Sequence, residues 1–211
     1  NYFNYQKLSE NGPQLHQFNA FNGWKANDCY GLFEHATGTY KTATGLICAD
    51  YFLGSEEYVV ITTPGLMISE NWYKLIKRCF PITVKVVYCC SDNPKWREEA
   101  GKHINNHEKI IFVFVNDSLW SQKGMDLMLA LKNKYLLIAD EAHNWDDTRS
   151  IEFMKSNKPL SRLALTAKLS EPGAEKDTQN ISDYFTNGYI NKLDLDTAIK
   201  NGFLRNYEYQ L

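Results

Sequence analysis

The sequence predicts an α/β fold with a mostly parallel β-sheet and helices on both of its faces. Three observations lead there. Short continuous apolar runs alternate with segments of helical periodicity, the pattern of strands buried on both sides and joined by helical crossovers. The stretch Glu34-His35-Ala36-Thr37-Gly38-Thr39-Tyr40-Lys41-Thr42 stands between one such run and an apolar helix, which is the layout of a phosphate-binding loop. Further on, another apolar run ends in Asp140-Glu141-Ala142-His143. Ligands of parallel sheets sit at the carboxyl ends of the strands. Lys41 and Asp140 both follow strand ends, so they are expected to meet despite their distance in sequence.

Taken in order, residues 18–24 read as a helix with Ala20, Phe21 and Trp24 on one face, weakened by Asn22-Gly23. Residues 29–33 form the first buried strand, and residues 41–53 the helix after the loop. Tyr58-Val59-Val60-Ile61 lies in a strand over 57–62 that Thr63-Pro64-Gly65 ends. Trp72, Leu75 and Ile76 mark a helix over 69–79 with Ser69 as its expected N-cap. Residues 82–89 are β-rich, and Asn93-Pro94 opens a short polar helix reaching His103. A strongly apolar strand spans 109–115. Asp117 or Ser118 is expected to cap a helix that includes Leu127, Met128 and Leu131. A strand over 134–139, a short helix over 151–154 and a strand over 162–166 come next. The polar stretch 169–180, with Pro172-Gly173, reads as a loop. A strand over 188–193, a helix over 194–201 and a strand or linker over 207–210 complete the chain.

The 211 residues suffice for one large domain with a buried core. A net charge of −2 excludes a module that binds nucleic acid by bulk charge. A local groove with a few phosphate contacts stays open. No apolar run approaches the ~20 residues that span a bilayer, and Asn1-Tyr2-Phe3-Asn4-Tyr5 is no signal peptide, so no membrane partner is expected. Without an initiator methionine the chain reads as an excised piece. Its cysteines, Cys29, Cys48, Cys79, Cys89 and Cys90, lack a zinc spacing and read as buried reduced thiols, which suits the cytoplasm.

The order of residues in the loop follows from its chemistry. Backbone N–H groups of Thr37, Gly38, Thr39 and Tyr40 at a helix N-terminus face a polyphosphate, and the helix dipole favours its charge. The Lys41 ammonium reaches the β/γ-phosphates and the Thr42 hydroxyl ligates Mg²⁺. Two positions depart from the pattern: Tyr40 and His35 stand where glycine is usual. A tyrosine before the lysine forces poor dihedrals, and its ring either projects outward or enters the nucleotide site. Asp140 can hold Mg²⁺ through water, and Glu141 can orient or deprotonate the water that attacks the γ-phosphate. An Asp-Glu pair after a strand is by itself a common solvated turn; the loop upstream makes it a candidate catalytic pair.

ATGTYKT, then IADEAH, then LALTAK resemble motifs I, II and III of superfamily-two helicases and translocases, in that order. LFEHATGT-x-KT, with the segments Asp183-Tyr184-Phe185 and Ala198-Ile199-Lys200-Asn201-Gly202-Phe203-Leu204, is most similar to the restriction-enzyme-like DEAD/DEAH branch. That branch includes the translocating subunits of restriction systems and related DNA helicases. The resemblance runs from Pro13 to Leu211 and corresponds to the first of two RecA-like P-loop NTPase domains. It divides the chain into an N-terminal segment with a Q-motif-like helix (1–28), an ATP-binding RecA-like domain (29–205) and the start of a linker to a second RecA-like domain (206–211).

The resemblance implies ATP and Mg²⁺ as cofactors. It implies two partners, a nucleic acid (DNA by branch, RNA left open) and the second RecA-like domain of a parent chain. Gln17, in His16-Gln17-x-x-Ala20, sits where the family has a glutamine that holds adenine. Thr63-Pro64 and Asn116-Asp117-Ser118 sit at turns that touch nucleic-acid phosphates in the family, although turn formation and capping explain the same residues. Thr166-Ala167 sits where hydrolysis is coupled to movement, and His143 would communicate with it. Lys168 stands where Thr or Ser is usual, either pairing with Asp140 or Glu141 or pointing to solvent. The implied activity is ATP hydrolysis by a DNA helicase or translocase, weak in the isolated domain. A restriction motor that pumps DNA without separating its strands is the second enzyme reading. A degenerate loop domain kept as a nucleic-acid-binding or partner-binding scaffold is the non-enzyme reading, and Tyr40 and Lys168 favour it.

Overall fold

The computed structural model describes residues 14–169 and 175–205. Its strands are β1 (Tyr30–His35), β2 (Tyr58–Thr63), β3 (Lys85–Cys89), β4 (Ile110–Val115), β5 (Tyr135–Asp140), β6 (Ser161–Thr166) and β7 (Ile190–Leu193). They form one sheet in the order β3-β4-β2-β5-β6-β1-β7, and every neighbouring pair is parallel. The helices are α1 (Leu15–Ala26), α2 (Lys41–Phe52), α3 (Leu66–Cys79), α4 (Trp96–Asn105), α5 (Asn116–Leu119), α6 (Gln122–Ala130), α7 (Thr148–Ser156), α8 (Glu175–Phe185) and α9 (Leu195–Lys200), with a 3-10 turn at Ala142–Asn144.

The alternation of side chains along each strand splits the core into two. On one face Val59, Ile61, Leu136, Ile138, Leu163 and Leu165 pack with Trp24 of α1, Leu46 of α2 and Trp72 of α3. On the other, Val60, Phe112, Leu137 and Ala164 pack with Trp96 of α4, Met128 of α6, Phe153 of α7 and Phe185 of α8. Strands covered on both sides have no polar face to show, which is why they read as unbroken apolar runs. Gly45 allows α2 to lie close: a Cβ there would stand 3.0 Å from both Leu165 and Trp72. Among the described residues no helix is long and apolar enough to cross a membrane, and all five cysteines are free thiols.

Several local expectations are corrected. The stretch 169–180 is not wholly a loop, because α8 begins at Glu175 and anchors through the buried Ile181, Tyr184 and Phe185 near its end. Gly65, not Ser69, is the N-cap of α3. Ser69 lies one turn inside, buried, with its hydroxyl donating to Leu66 O at 2.9 Å. The helix expected from residue 117 is two pieces, and Ser121 caps the second by accepting from the Gly124 N–H. Cys29 is outside β1, at φ 61°. The reading of 207–210, and the segments 1–13 and 206–211 of the proposed division, lie outside the described residues.

Candidate active site

β5, β6 and β1 are neighbours, and their registers align three strand ends: Asp140 stands opposite Leu165, and Glu34 opposite Thr166. The loop over residues 36–40 leaves β1 at this edge and feeds α2. The topology therefore brings Lys41, Asp140, Glu141 and Thr166 to one end of the sheet.

The loop is tied down by its own atoms. Thr39 is buried, and its hydroxyl and amide both donate to Ala36 O, at 2.7 and 3.3 Å. This turn needs Gly38 at φ +87°, a region glycine enters without steric cost. Tyr40 is the N-cap of α2 at φ 62°, ψ 37°, left-handed backbone that strains a residue with a Cβ. Its ring is 70% exposed, so of the two orientations open to it the outward one is adopted. The Tyr40 carbonyl accepts from Thr44 N at 3.1 Å and Thr44 Oγ1 at 3.3 Å. Gln17, expected on an adenine, is buried and donates its Nε2 to that carbonyl at 3.4 Å. Thr37 and Gly38 are exposed at the tip.

Lys41 is 9% exposed, and its Nζ donates to His35 O at 2.8 Å and Ala36 O at 3.5 Å. Burial pushes its ammonium below the ordinary lysine range, and the charges of Glu141 and Asp140 act against that shift. Thr42 is half-buried in the first turn of α2. Asp140 is 6% exposed. Its Oδ2 accepts from Trp72 Nε1 at 2.7 Å and its Oδ1 from the Glu141 N–H at 3.1 Å. Burial raises the Asp140 carboxyl above the usual range, the Trp72 bond opposes this, and the Glu141 charge adds to it. Glu141 takes left-handed backbone, φ 50° and ψ 50°, as it starts the 3-10 turn.

That turn presents His143 to β6. His143 Nδ1 lies 3.0 Å from Thr166 Oγ1 and 3.4 Å from Glu141 Oε2, while Asn144 Nδ2 lies 3.1 Å from His143 Nε2. The Thr166 hydroxyl gives its proton to Lys168 O at 2.8 Å. It therefore accepts from His143, which places the proton on Nδ1 and leaves Nε2 to accept from Asn144. Ala167 is half-buried beside this contact. The Lys168 side chain is exposed and, among the described residues, makes no ion pair with Asp140 or Glu141. At the same end of the sheet, β2 and β4 pair as far as Thr63 and Val115. Thr63 donates to Gly65 O at 3.2 Å, and Asn116 Oδ1 accepts from Thr62 Oγ1 at 2.5 Å. Pro64 and Ser118 are half-buried next to them.

Sequence reasoning missed the supports of this site. His16 Nε2 donates to Thr39 O at 2.9 Å, and its ring lies 4.4 Å from that of Phe203. His35 is fully buried, stacks on Phe33 and donates from Nε2 to Asn191 Oδ1 at 2.7 Å. Burial pulls its imidazole down to about 4. Trp72 reads as plain core by spacing; the signal available was that a buried indole N–H seeks an acceptor.

Asp140 supplies the hard oxygen donors that Mg²⁺ takes, each already holding one N–H and each with a lone pair left. Among the described residues no group of three or more His, Cys, Asp or Glu could hold a metal. A cation here would rest on Asp140, Thr42 and oxygens of a bound phosphate, which is the usual Mg²⁺ arrangement.

No curated protein sequence matches the chain. Several solved structures share its fold. The Hef helicase domain of Pyrococcus furiosus aligns with a TM-score of 0.74 and 16% identity over 94% of this chain and 41% of its own. The UvsW helicase of bacteriophage T4 gives 0.58 and 16%, over 86% and 60%. The type ISP restriction-modification enzyme LlaGI, in complex with a DNA substrate mimic, gives 0.60 and 17%, over 90% and 20%. The chain thus spans less than two thirds of each of these relatives. Its architecture is that of the first RecA-like domain of a restriction-like superfamily-two helicase. The model of the type III restriction enzyme res subunit matches residues 10–171, most of the sequence, and the chain belongs to that family.

Proposed function

We propose that the chain is the ATP-binding domain of an ATP-dependent DNA helicase or translocase, coupling ATP hydrolysis to movement on nucleic acid. The observation that carries this is the convergence of the buried Lys41 with Asp140 and Glu141 at one end of the sheet. Phosphoryl transfer needs positioning and charge neutralisation more than covalent chemistry from the protein, and these three groups supply both. Backbone N–H groups over residues 37–41 would cradle the phosphates. The Lys41 ammonium would exchange the loop carbonyls for phosphate oxygens. Thr42 and Asp140 would hold Mg²⁺, which when bound neutralises charge on the phosphates. Glu141 would orient the attacking water, and the His143–Thr166 bond would pass the state of that site to β6. Gln17 would act through the Tyr40 carbonyl and so position the loop.

DNA is favoured as the partner. LlaGI was solved with a DNA substrate mimic and the Sulfolobus solfataricus SWI2/SNF2 ATPase core with dsDNA. In this chain the ends of β2 and β4 would meet the strand. Thr63 and Asn116 spend their side chains internally, so contact there would come from backbone amides and from Ser118.

Calorimetry with Mg²⁺-ATP tests the reading. The chain should bind, and Lys41→Ala should bind at least about tenfold more weakly, the equivalent of about 1.4 kcal/mol. Equal affinities would remove Lys41 from the site and overturn the assignment. The scaffold reading rests on the left-handed Tyr40; it takes the lead if Tyr40→Gly binds Mg²⁺-ATP and the natural chain does not.

A further inference from the structure

At the amino end of β6, opposite the edge that holds Lys41 and Asp140, a cavity of about 210 Å³ opens between α7, β6 and α8. Arg162 is the second residue of this strand and Thr166 its last, roughly 13 Å apart at ~3.3 Å per residue, so the two sites are separate. Arg162 is 8% exposed. Its Nη1 donates to Tyr184 O at 2.7 Å, and its guanidinium lies 4.1 Å from the centroid of the Tyr184 ring and 5.0 Å from that of Tyr30. These contacts fix the guanidinium and leave Nε buried without a hydrogen-bond partner. The buried Tyr135 hydroxyl, which feels the Arg162 charge, has no partner either.

Lys155 and Lys158 line the same cavity. Lys158 Nζ donates to Met154 O at 2.8 Å and stands 5.3 Å from the Tyr184 ring centroid. Burial and then the Arg162 charge pull its ammonium below the ordinary lysine range. Among the described residues none of the three cations is in an ion pair. One described carboxylate borders the cavity, Asp183, and its Oδ1 accepts from Gln179 Nε2 at 2.6 Å. Among the described residues three positive charges therefore face one negative charge. Like charges that share one cavity repel one another. An anion between them relieves that repulsion.

We propose that this cavity binds a phosphate group, either free phosphate or the terminal monoester of a nucleic-acid strand. A dianion matches the surplus of two positive charges among the described residues. Its tetrahedral oxygens serve a guanidinium and two ammonium groups together, which a single carboxylate cannot. The volume is below the ~300–1,000 Å³ of sites for drug-sized ligands, so the phosphate itself is bound and whatever it is attached to stays outside.

The test titrates inorganic phosphate into the Lys41→Ala chain, which removes the competing loop, and follows the Arg162 Nε–H signal by NMR. Saturable binding that shifts this signal is expected. Lys155→Gln/Lys158→Gln, both at exposed positions, should weaken binding at least tenfold with the melting temperature unchanged. No saturable binding, or equal affinity in the double variant, overturns the proposal. A 5′-phosphorylated oligonucleotide compared with its 5′-hydroxyl twin separates the sources. Tighter binding of the phosphorylated form, lost in the double variant, assigns a strand end. Equal binding of the two assigns free phosphate. ATP affinity at Lys41 plays no part in any of these outcomes.

Discussion

At Tyr40 the backbone takes φ 62°, ψ 37°, and the surroundings impose that strain. Gln17 and Thr44 both donate to the Tyr40 carbonyl, and His16 donates to the carbonyl before it. Left-handed backbone costs an L-residue about 1–2 kcal/mol. Glycine avoids that but loses about 0.5–1 kcal/mol more conformational entropy on folding. Tyr40→Gly should therefore stabilise the fold by about 0.5–1 kcal/mol, because the exposed ring makes little packing contact to lose. Urea unfolding of the two proteins measures the difference. A destabilised glycine variant would mean that the ring contributes packing its exposure does not suggest. The strain is local, and strained backbone of this kind persists where neighbouring groups over-determine it.

At the scale of elements, α3 reaches the catalytic edge through one atom, the Trp72 indole nitrogen that holds Asp140 Oδ2 at 2.7 Å. Trp72→Phe keeps most of the packing and removes the donor. A buried carboxylate that loses a hydrogen bond is destabilising by about 1.5–3 kcal/mol, and the Asp140 carboxyl should rise further. Urea unfolding near neutral pH checks the loss; a change under about 0.5 kcal/mol would show that water replaces the indole. This contact also marks how far the sequence could be read. The strands were legible because burial on both faces leaves an unbroken apolar run. Lys41 and Asp140 were legible because loop and strand tip are local patterns. The partners were not: Trp72 is 68 residues from Asp140, His16 is 23 from Thr39, and His35 is 156 from Asn191. Nothing within a local window encodes such pairings. α8 was missed as a whole for a related reason, since its buried anchors, Ile181, Tyr184 and Phe185, lie at its far end behind a polar first half.

For the whole molecule, the loop edge rests on two buried imidazoles, and this couples the stability of the fold to pH. His35 is fully enclosed, with Nδ1 lacking a partner and the Lys41 charge nearby. Burial lowers it from 6.5 to about 4, so the folded state keeps it neutral where the unfolded chain takes up a proton. Its contribution is complete above the unfolded value of 6.5 and is lost as pH falls towards 4. Between about pH 6.5 and pH 5 the linkage amounts to about 1.5 kcal/mol. His16, also lowered by burial, acts in the same direction. Glu108, Asp147 and Asp194 are held below their ordinary range, so their losses belong to more acidic conditions, below about pH 4.5. His35→Gln keeps an N–H for Asn191 and removes the titration. Its stability should fall less than that of the natural chain between about pH 7 and pH 5, by about 1.5 kcal/mol, in paired urea unfolding curves. Parallel losses in the two proteins would show that His35 titrates freely inside the fold and that the loop edge is open to water.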